Sequence, residues 1–344
     1  MISHRSSAVK PVRRAVTGTL LAFWVLLSAC HTLPQSADVT HVAFGSCNRS
    51  DLPQPLWTPI LEHQPDLWIW TGDIVYGDTQ DMAVLAGKYA SQLANPGYRA
   101  LVSKTHVIGT WDDHDYGVND GGKEYPQKAE SQQLLLDFLG VGSDDPRRLQ
   151  EGVYSSYVLG EPPRQIKVIL LDVRYHREKP GPAADILGEA QWAWLEQELS
   201  RSQAQLNLIV SGTQVLPEQH EWERWAAYPA ARQRLLALIV AARKDGVILL
   251  SGDRHFAEFT VHKEPGFYPL YEVTASGLTH YWETMPEETN RARFGRAWKG
   301  LNFGLLSVDW AARRETMVSL QVRDQNNRPR VRMRFPLSRL KVAD

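Results

Sequence analysis

Cysteine is nearly absent. The 344 residues hold two, Cys30 and Cys47, so one internal disulfide is the most the chain can form. Excess charge is absent too: 38 Lys and Arg stand against 39 Asp and Glu, a formal net charge of -1. No global basic field therefore points to nucleic acid. No internal repeat or low-complexity tract interrupts the chain. The main apolar run, "VTGTLLAFWVLLSAC" (16–30), is too short to span a bilayer comfortably. The remaining composition, 43% hydrophobic and 22% charged, is ordinary for a globular protein of one large or two small domains. Tryptophan, by contrast, is plentiful at 12 residues. Core and rim packing explains such a count, with contacts to sugar or lipid as the alternative.

The N-terminus has the layout of an export signal. Arg5, Lys10, Arg13 and Arg14 precede the apolar run, which ends in small residues. "LSAC", Leu27 to Cys30, resembles a bacterial lipobox, in which the cysteine becomes the lipidated first residue; the alternative is an ordinary membrane anchor, or a signal cut elsewhere. The expectation is a signal peptide over 1–29, lipid on Cys30, a linker over 30–39 and a single domain over 40–344. His31 is not the aspartate of inner-membrane retention. The expected location is thus the bacterial cell envelope, anchored in the outer membrane and facing the periplasm. The Arg13-Arg14 pair hints at twin-arginine export without its fuller consensus. With Cys30 lipidated, Cys47 has no disulfide partner, and a lone thiol in an oxidising compartment calls for burial or a bound group.

Beyond the linker, short apolar runs alternate with helical patterns, the mark of an α/β domain. The runs are "HVAFGSC", "DLWIWTGD", "THVIGTWDD", "IKVILLDVR", "LNLIVSGTQ", "GVILLSGDRH", "LYEVTASG" and "FGLLSVDW". Most are continuously apolar, so they read as strands covered on both faces. Helices are expected at Met82 to Leu93, Lys128 to Leu139, Glu189 to Ser200 and Pro229 to Lys244. "TMVSLQVRD" and "RVRMRFPL" read as an antiparallel flanking pair. Cys47, Asp73, Asp112, Asp113, Gln214, Asp253 and His255 all fall at or just past the C-terminal ends of these strands. Ligands of open α/β sheets bind at that edge.

Each cluster also has a plain alternative. In "TGDIVYGD", Asp73 can bridge two cations and Tyr76 offers a phenolate suited to ferric iron; otherwise they are a turn aspartate and a packed tyrosine. In "SGDRHFAEF", an extended segment puts Asp253 and His255 on one face with Arg254 directed elsewhere; the alternative is a turn aspartate and a surface histidine. "GTWDDHDYGVND" crowds Asp112, Asp113 and Asp115 around His114, a histidine able to act as acid or base. Asn119 and Asp120 add further oxygens of the kind calcium takes, unless the run is only a solvated acidic turn. Cys47 is either a ligand thiolate or a small buried residue.

Taken in order, "GSC", "GDxxY", "WDDHD" and "SGDxH" after apolar strands resemble the alkaline phosphatase D (PhoD-like) family of metallophosphoesterases. "LLDVRYHR", "EAQWAWLEQEL", "YEVTASGLT" and "NFGLLSVD" extend the resemblance over about Val42 to Ser307. It implies a four-layer α/β/β/α sandwich with the metal site at the C-terminal ends of the strands. It implies that Cys47, Asp73, Tyr76 and His255 hold Fe3+. Asp73 would bridge to Ca2+, one or two ions, with Asp113, Asp253 and Asn119 as further ligands. His114 would give the proton to the leaving alkoxide. Asp112, Asp115 and Gln214 either bind a second calcium or orient the ligands. The first core strand starts soon after the linker, so the N-terminal β domain of longer members is expected to be missing. The implied activity is hydrolysis of phosphate mono- or diesters. A phospholipase acting on the membrane, or a calcium-binding envelope lipoprotein without catalysis, are the competing readings. No nucleic-acid or protein partner is expected.

Overall fold

The computed structural model describes Met1 and residues 31–32, 38–284, 288–312 and 314–343. Apart from Met1, the expected signal peptide lies outside the described residues, as does Cys30. Two sheets form the frame. One has six strands in the order β14 (Pro329–Pro336), β13 (Met317–Asp324), β12 (Asn302–Asp309), β2 (His41–Gly45), β3 (Leu67–Thr71) and β4 (His106–Thr110). The other has eight, in the order β1 (His31–Thr32), β5 (Ser155–Leu159), β6 (Ile166–Leu170), β7 (Leu206–Ser211), β8 (Val247–Ser251), β10 (Leu270–Ala275), β9 (Ala257–His262) and β11 (Arg293–Trp298).

The sequence sets the layering through its period of two. On β2 and β3, Val42, Phe44, Leu67 and Ile69 join the core shared with the eight-stranded sheet. Their neighbours Ala43, Trp68 and Trp70 face the other way, into a second core. That second core is closed by α1 (Trp57–Glu62), α2 (Met82–Ala94), α3 (Pro96–Val102) and α5 (Lys128–Phe138), through residues such as Trp57, Leu85, Tyr98 and Leu135. Trp57, Trp68 and Trp70 pack edge to face at 5.3–5.7 Å, an arrangement aromatic rings favour. On the eight-stranded sheet, β6, β7 and β8 are buried along their whole length. One face meets the first sheet. Over the other lie α6 (Glu189–Arg201) and α7 (Pro229–Ala242), with Trp192, Leu195, Leu235 and Ile239 in the same core. The result is the expected order of helix, sheet, sheet, helix.

The apolar runs all form strands, and the expected helices end within two residues of the observed ones. Four strands carried no strong sequence signal: β5, β9, the mostly exposed β11, and β1, which falls within the expected linker and pairs with β5. One reading needs correction. "DDHD" is not only a turn: Asp113–Tyr116 is a short helix, α4. The Asp115 carboxylate accepts the Asp112 N–H at 2.7 Å, fixing its first turn from within.

The strands β2, β3 and β4 run parallel, as do β6, β7, β8 and β10. Their C-terminal ends release the segments after Gly45, Thr71, Thr110 and Ser251 at one edge. The candidate residues are therefore gathered by topology, as the sheet-edge argument requires.

Candidate metal centre

The donors leave their strands on an unusual backbone. Cys47, Asp73, Asp253 and His255 have φ of 59°, 49°, 72° and 53°, the left-handed region that side chains seldom adopt. This corrects the expectation that Asp253 and His255 alternate along an extended segment. Both turn back sharply, while Arg254 is buried and pairs with Glu288 at 2.6 Å. The glycines of the two "GD" pairs are dictated by space. A Cβ on Gly72 would lie 2.5 Å from that of Asp112, and one on Gly252 would lie 2.5 Å from Ser46 Oγ. Only glycine lets the loops close this tightly.

Among the described residues, four groups of ligand atoms each lie mutually within 4.8 Å. Cys47, Asp73 and His255 form one; Asp73, Asp112, Asp113 and Asp253 form another; Asp73, Asp113 and His114 a third. The fourth joins Asp113 to Asp120 and Glu223. Asp73 belongs to the first three. Tyr76 joins the Cys47 side, its Oη 3.0 Å from His255 Nε2 and donating to Asp73 Oδ2 at 3.5 Å. The Cys47 thiol also donates to Asp73 Oδ2, at 3.4 Å. Asn119 is exposed, and it is the neighbouring Asp120 whose carboxylate meets Asp113 and Glu223.

Donor chemistry and burial together fit a cation. Asp73 Oδ1, Asp112 Oδ2, Asp113 Oδ1 and Asp253 Oδ2 are buried without a hydrogen-bond partner. A buried carboxylate oxygen left so costs several kcal/mol by desolvation unless a cation meets it. Burial, then the charges of Asp113, Asp115 and Asp253, pushes Asp73 well above the carboxylate range. Burial takes Asp253 up to about 7. The Cys47 thiol is raised by burial, then by Asp73 and Asp253. For Asp113, burial is outweighed by Arg174 and His114, which hold it below its usual value.

Arg174, Arg177, Glu223 and Asp78 carry no role in the sequence reading yet matter here, and Asp115 and Gln214 can now be placed. Arg174, inside "LLDVRYHR", is fully buried and lies 2.5 Å from both Asp112 Oδ1 and Glu223 Oε2. Arg177 binds the other oxygen of Glu223. Asp115 serves the scaffold: besides Asp112 N–H it accepts the N–H groups of Asp73 at 3.3 Å and Ile74 at 3.0 Å. Gln214 donates to Glu258 and Thr274, both at 2.8 Å. Asp78 engages His114 Nδ1 at 2.7 Å, and the imidazole stacks on Tyr76 with centroids 4.1 Å apart. Burial would lower the His114 pKa, but Asp78 and Asp113 outweigh it and lift it to about 9. With Nδ1 engaged, Nε2 is the nitrogen left for the centre. Asp78 was within reach of the sequence, as the second acid of "GDIVYGD".

Known proteins give the same outline. Alkaline phosphatase D of Bacillus subtilis (strain 168) is 23% identical over 235 residues, covering 57% of this chain and 40% of that protein. The chain thus matches well under half the length of this curated relative. The solved structure of PhoD superposes with a TM-score of 0.66 at 16% identity, covering 86% of this chain and 73% of that one. A dimetal phosphatase from Danio rerio gives 0.51 at 13% identity, covering 88% and 100%. At these identities the structures establish the shared fold. The profile of the PhoD-like phosphatases matches residues 42–285, most of the chain and every donor named above; the chain belongs to the PhoD-like phosphatase family.

Proposed function

We propose that this protein is a metal-dependent hydrolase of phosphate esters, acting at the bacterial cell envelope. The observation that carries the reading is the set of four unpartnered, buried carboxylate oxygens beside a thiol, a phenol and two imidazoles. Cys47, Asp73, Tyr76 and His255 are the residues to hold Fe3+, since thiolate, phenolate and imidazole suit it better than calcium. Asp73, Asp112, Asp113 and Asp253 offer the all-oxygen set that Ca2+ takes. Asp112, open in the sequence between calcium ligand and orienting group, is counted in this set, and Asp120 beside Asp113 and Glu223 is preferred to Asn119 as a further oxygen. Bound cations supply charge neutralisation of the ester oxygens and a more acidic water.

The chain's own part is orientation and proton transfer. As the water oxygen bonds to phosphorus, the P–O bond to the alcohol breaks, and His114 Nε2–H protonates the departing oxygen. Asp78 fixes the imidazole from behind through Nδ1, and Tyr76 holds its plane. A calcium-binding lipoprotein without catalysis would need none of Cys47, Tyr76, His255 or His114 at the acidic cluster. The envelope location rests on the "LSAC" lipobox and its basic, apolar leader.

His114→Ala tests the reading, with metal content measured alongside. It should retain metal and lose on the order of 10²–10⁴ in kcat. Full activity would remove His114 from the mechanism. A colourless purified protein without iron by elemental analysis would overturn the ferric assignment.

A further inference from the structure

Most tryptophans explain themselves. Trp57, Trp68, Trp70, Trp111, Trp192 and Trp225 are buried core. Trp222 is different: it is 49% exposed, although it is held firmly in place. Its loop starts at Val215 and Leu216, whose N–H groups donate to the buried Glu272 at 2.9 and 2.6 Å. The next residue, Glu223, is clamped by Arg174 and Arg177. An indole exposed at the tip of so fixed a loop is not a loose end of the core.

Three separate tethers place it at the rim of the metal centre. Its neighbour Glu223 brings a carboxylate within 4.8 Å of those of Asp113 and Asp120. The guanidinium of Arg254, which sits between Asp253 and His255, lies 5.8 Å from its ring centroid. Trp282 packs against it at 4.6 Å and 74°. Trp282 is in turn 5.4 Å from the His255 ring and donates its backbone N–H to the His255 carbonyl at 3.2 Å. A half-exposed ring thus stands two ring contacts from a metal donor.

We propose that Trp222 and Trp282 form the leaving-group subsite, which takes a planar ring on the alcohol side of the ester. This rests on the phosphoesterase reading above. Two nearly perpendicular indoles make a corner one ring wide, offering a face and an edge, the two surfaces aromatic pairs use. The surroundings argue against a hydrocarbon chain. Glu221 and Glu283, chain neighbours of the two indoles, are exposed, and Arg254, paired with Glu288, lies against the Trp222 ring. An acyl chain would strip water from those groups without replacing their hydrogen bonds. A nucleobase or an aryl group stacks on the indole and leaves its polar edges to them. Nucleosides and simple aryl alcohols share this chemistry and are separated by the probe set.

The test uses the metal-loaded full chain. Titration calorimetry compares benzylphosphonate, adenosine 5′-monophosphate and ethylphosphonate on wild type and Trp222→Ala. The substitution should weaken benzylphosphonate about tenfold more than ethylphosphonate, as expected for loss of one stacking partner, and Trp222→Phe should restore most of the difference. A larger loss with the nucleotide than with benzylphosphonate identifies the ring as a base; equal losses identify any aryl group. In kinetics, the ratio of kcat/KM for phenyl over methyl esters should fall by the same factor. Parallel losses for ring and alkyl ligands, or none, would overturn the subsite. So would Trp222-dependent hydrolysis of phosphatidylcholine vesicles without ring preference. If wild type cleaves no ester, the phosphoesterase reading fails, and the titration still decides the subsite.

Discussion

On the Asp112–Asp113 side of the centre, a buried guanidinium faces the acids: Arg174 lies 2.5 Å from Asp112 and 3.7 Å from Asp113. On the Cys47–Asp73 side, among the described residues, no arginine or lysine pairs with Cys47 or Asp73. The acidity follows this only in part: Asp113 is held low, whereas burial outweighs Arg174 at Asp112 and pushes it up, as it does Asp73 and Cys47. The protein therefore supplies part of the counter-charge on one side and leaves the other to a bound cation. A residual charge deficit next to Arg174 suits a hard, weakly polarising ion. The uncompensated thiol and phenol suit one that draws off their protons.

Asp73 is common to both sides, so Asp73→Asn should break the comparison most completely. Metal should be lost from both, and kcat/KM should fall by more than the roughly 10–100-fold that outer-sphere changes cost. On the proposed assignment of iron and calcium, Cys47→Ser beside it should lose iron while keeping calcium by elemental analysis; equal loss of both metals would mean that the two sides are not separable. Next comes Arg174→Met, which strands Asp112 and leaves Glu223 to Arg177 alone. Removing one partner of a buried pair costs about 3–5 kcal/mol, to be read by denaturant titration. The loss should be smaller in metal-replete protein and partly recovered by a second change, Asp112→Asn. Asp78→Asn is milder, since it acts through His114. It should lower kcat by about 10–100-fold with metal content and KM little altered.

The smallest effect concerns Glu272, a buried acid away from both sides. It has backbone N–H partners and, among the described residues, no paired cation, and burial pushes it up to about 7. From its ordinary value near 4.5 up to about 7, the folded chain keeps a proton that the unfolded chain has released. The folded state binds more protons there, so stability falls as pH rises through that window. Glu272→Gln should remove this slope, at most about 1.4 kcal/mol per pH unit. Equal slopes for wild type and variant between pH 5 and 7 would show that the carboxylate is ionised throughout.

The legible part of this molecule is what local pattern controls. Continuous apolar runs marked the strands covered on both faces, and Gly-Asp after such a run marked the donors of the sheet edge. β11 escaped because "RFGRAW" is mostly exposed and has no apolar face to reveal it. α4 escaped because a four-residue helix made of "DHDY" has no hydrophobic period. The Arg174–Asp112 pair spans 62 positions, and Asp78–His114 spans 36. No spacing rule reaches across such distances. Asp112 and Asp115 are near-identical neighbours by sequence, yet one points among the donors and the other receives backbone N–H groups. That difference comes from where α4 starts.

Among the described residues, nine other than glycine have left-handed backbones, and six of them are Cys47, Asp73, Asp78, Asp120, Asp253 and His255. Each such conformation costs a side-chain-bearing residue on the order of 1–2 kcal/mol. Glycine at any of these places would relax the chain and delete a working group at the same stroke. Heat resistance and turnover are thus opposed at the same positions. Variants of this protein chosen by melting temperature alone would drift toward inactive ones.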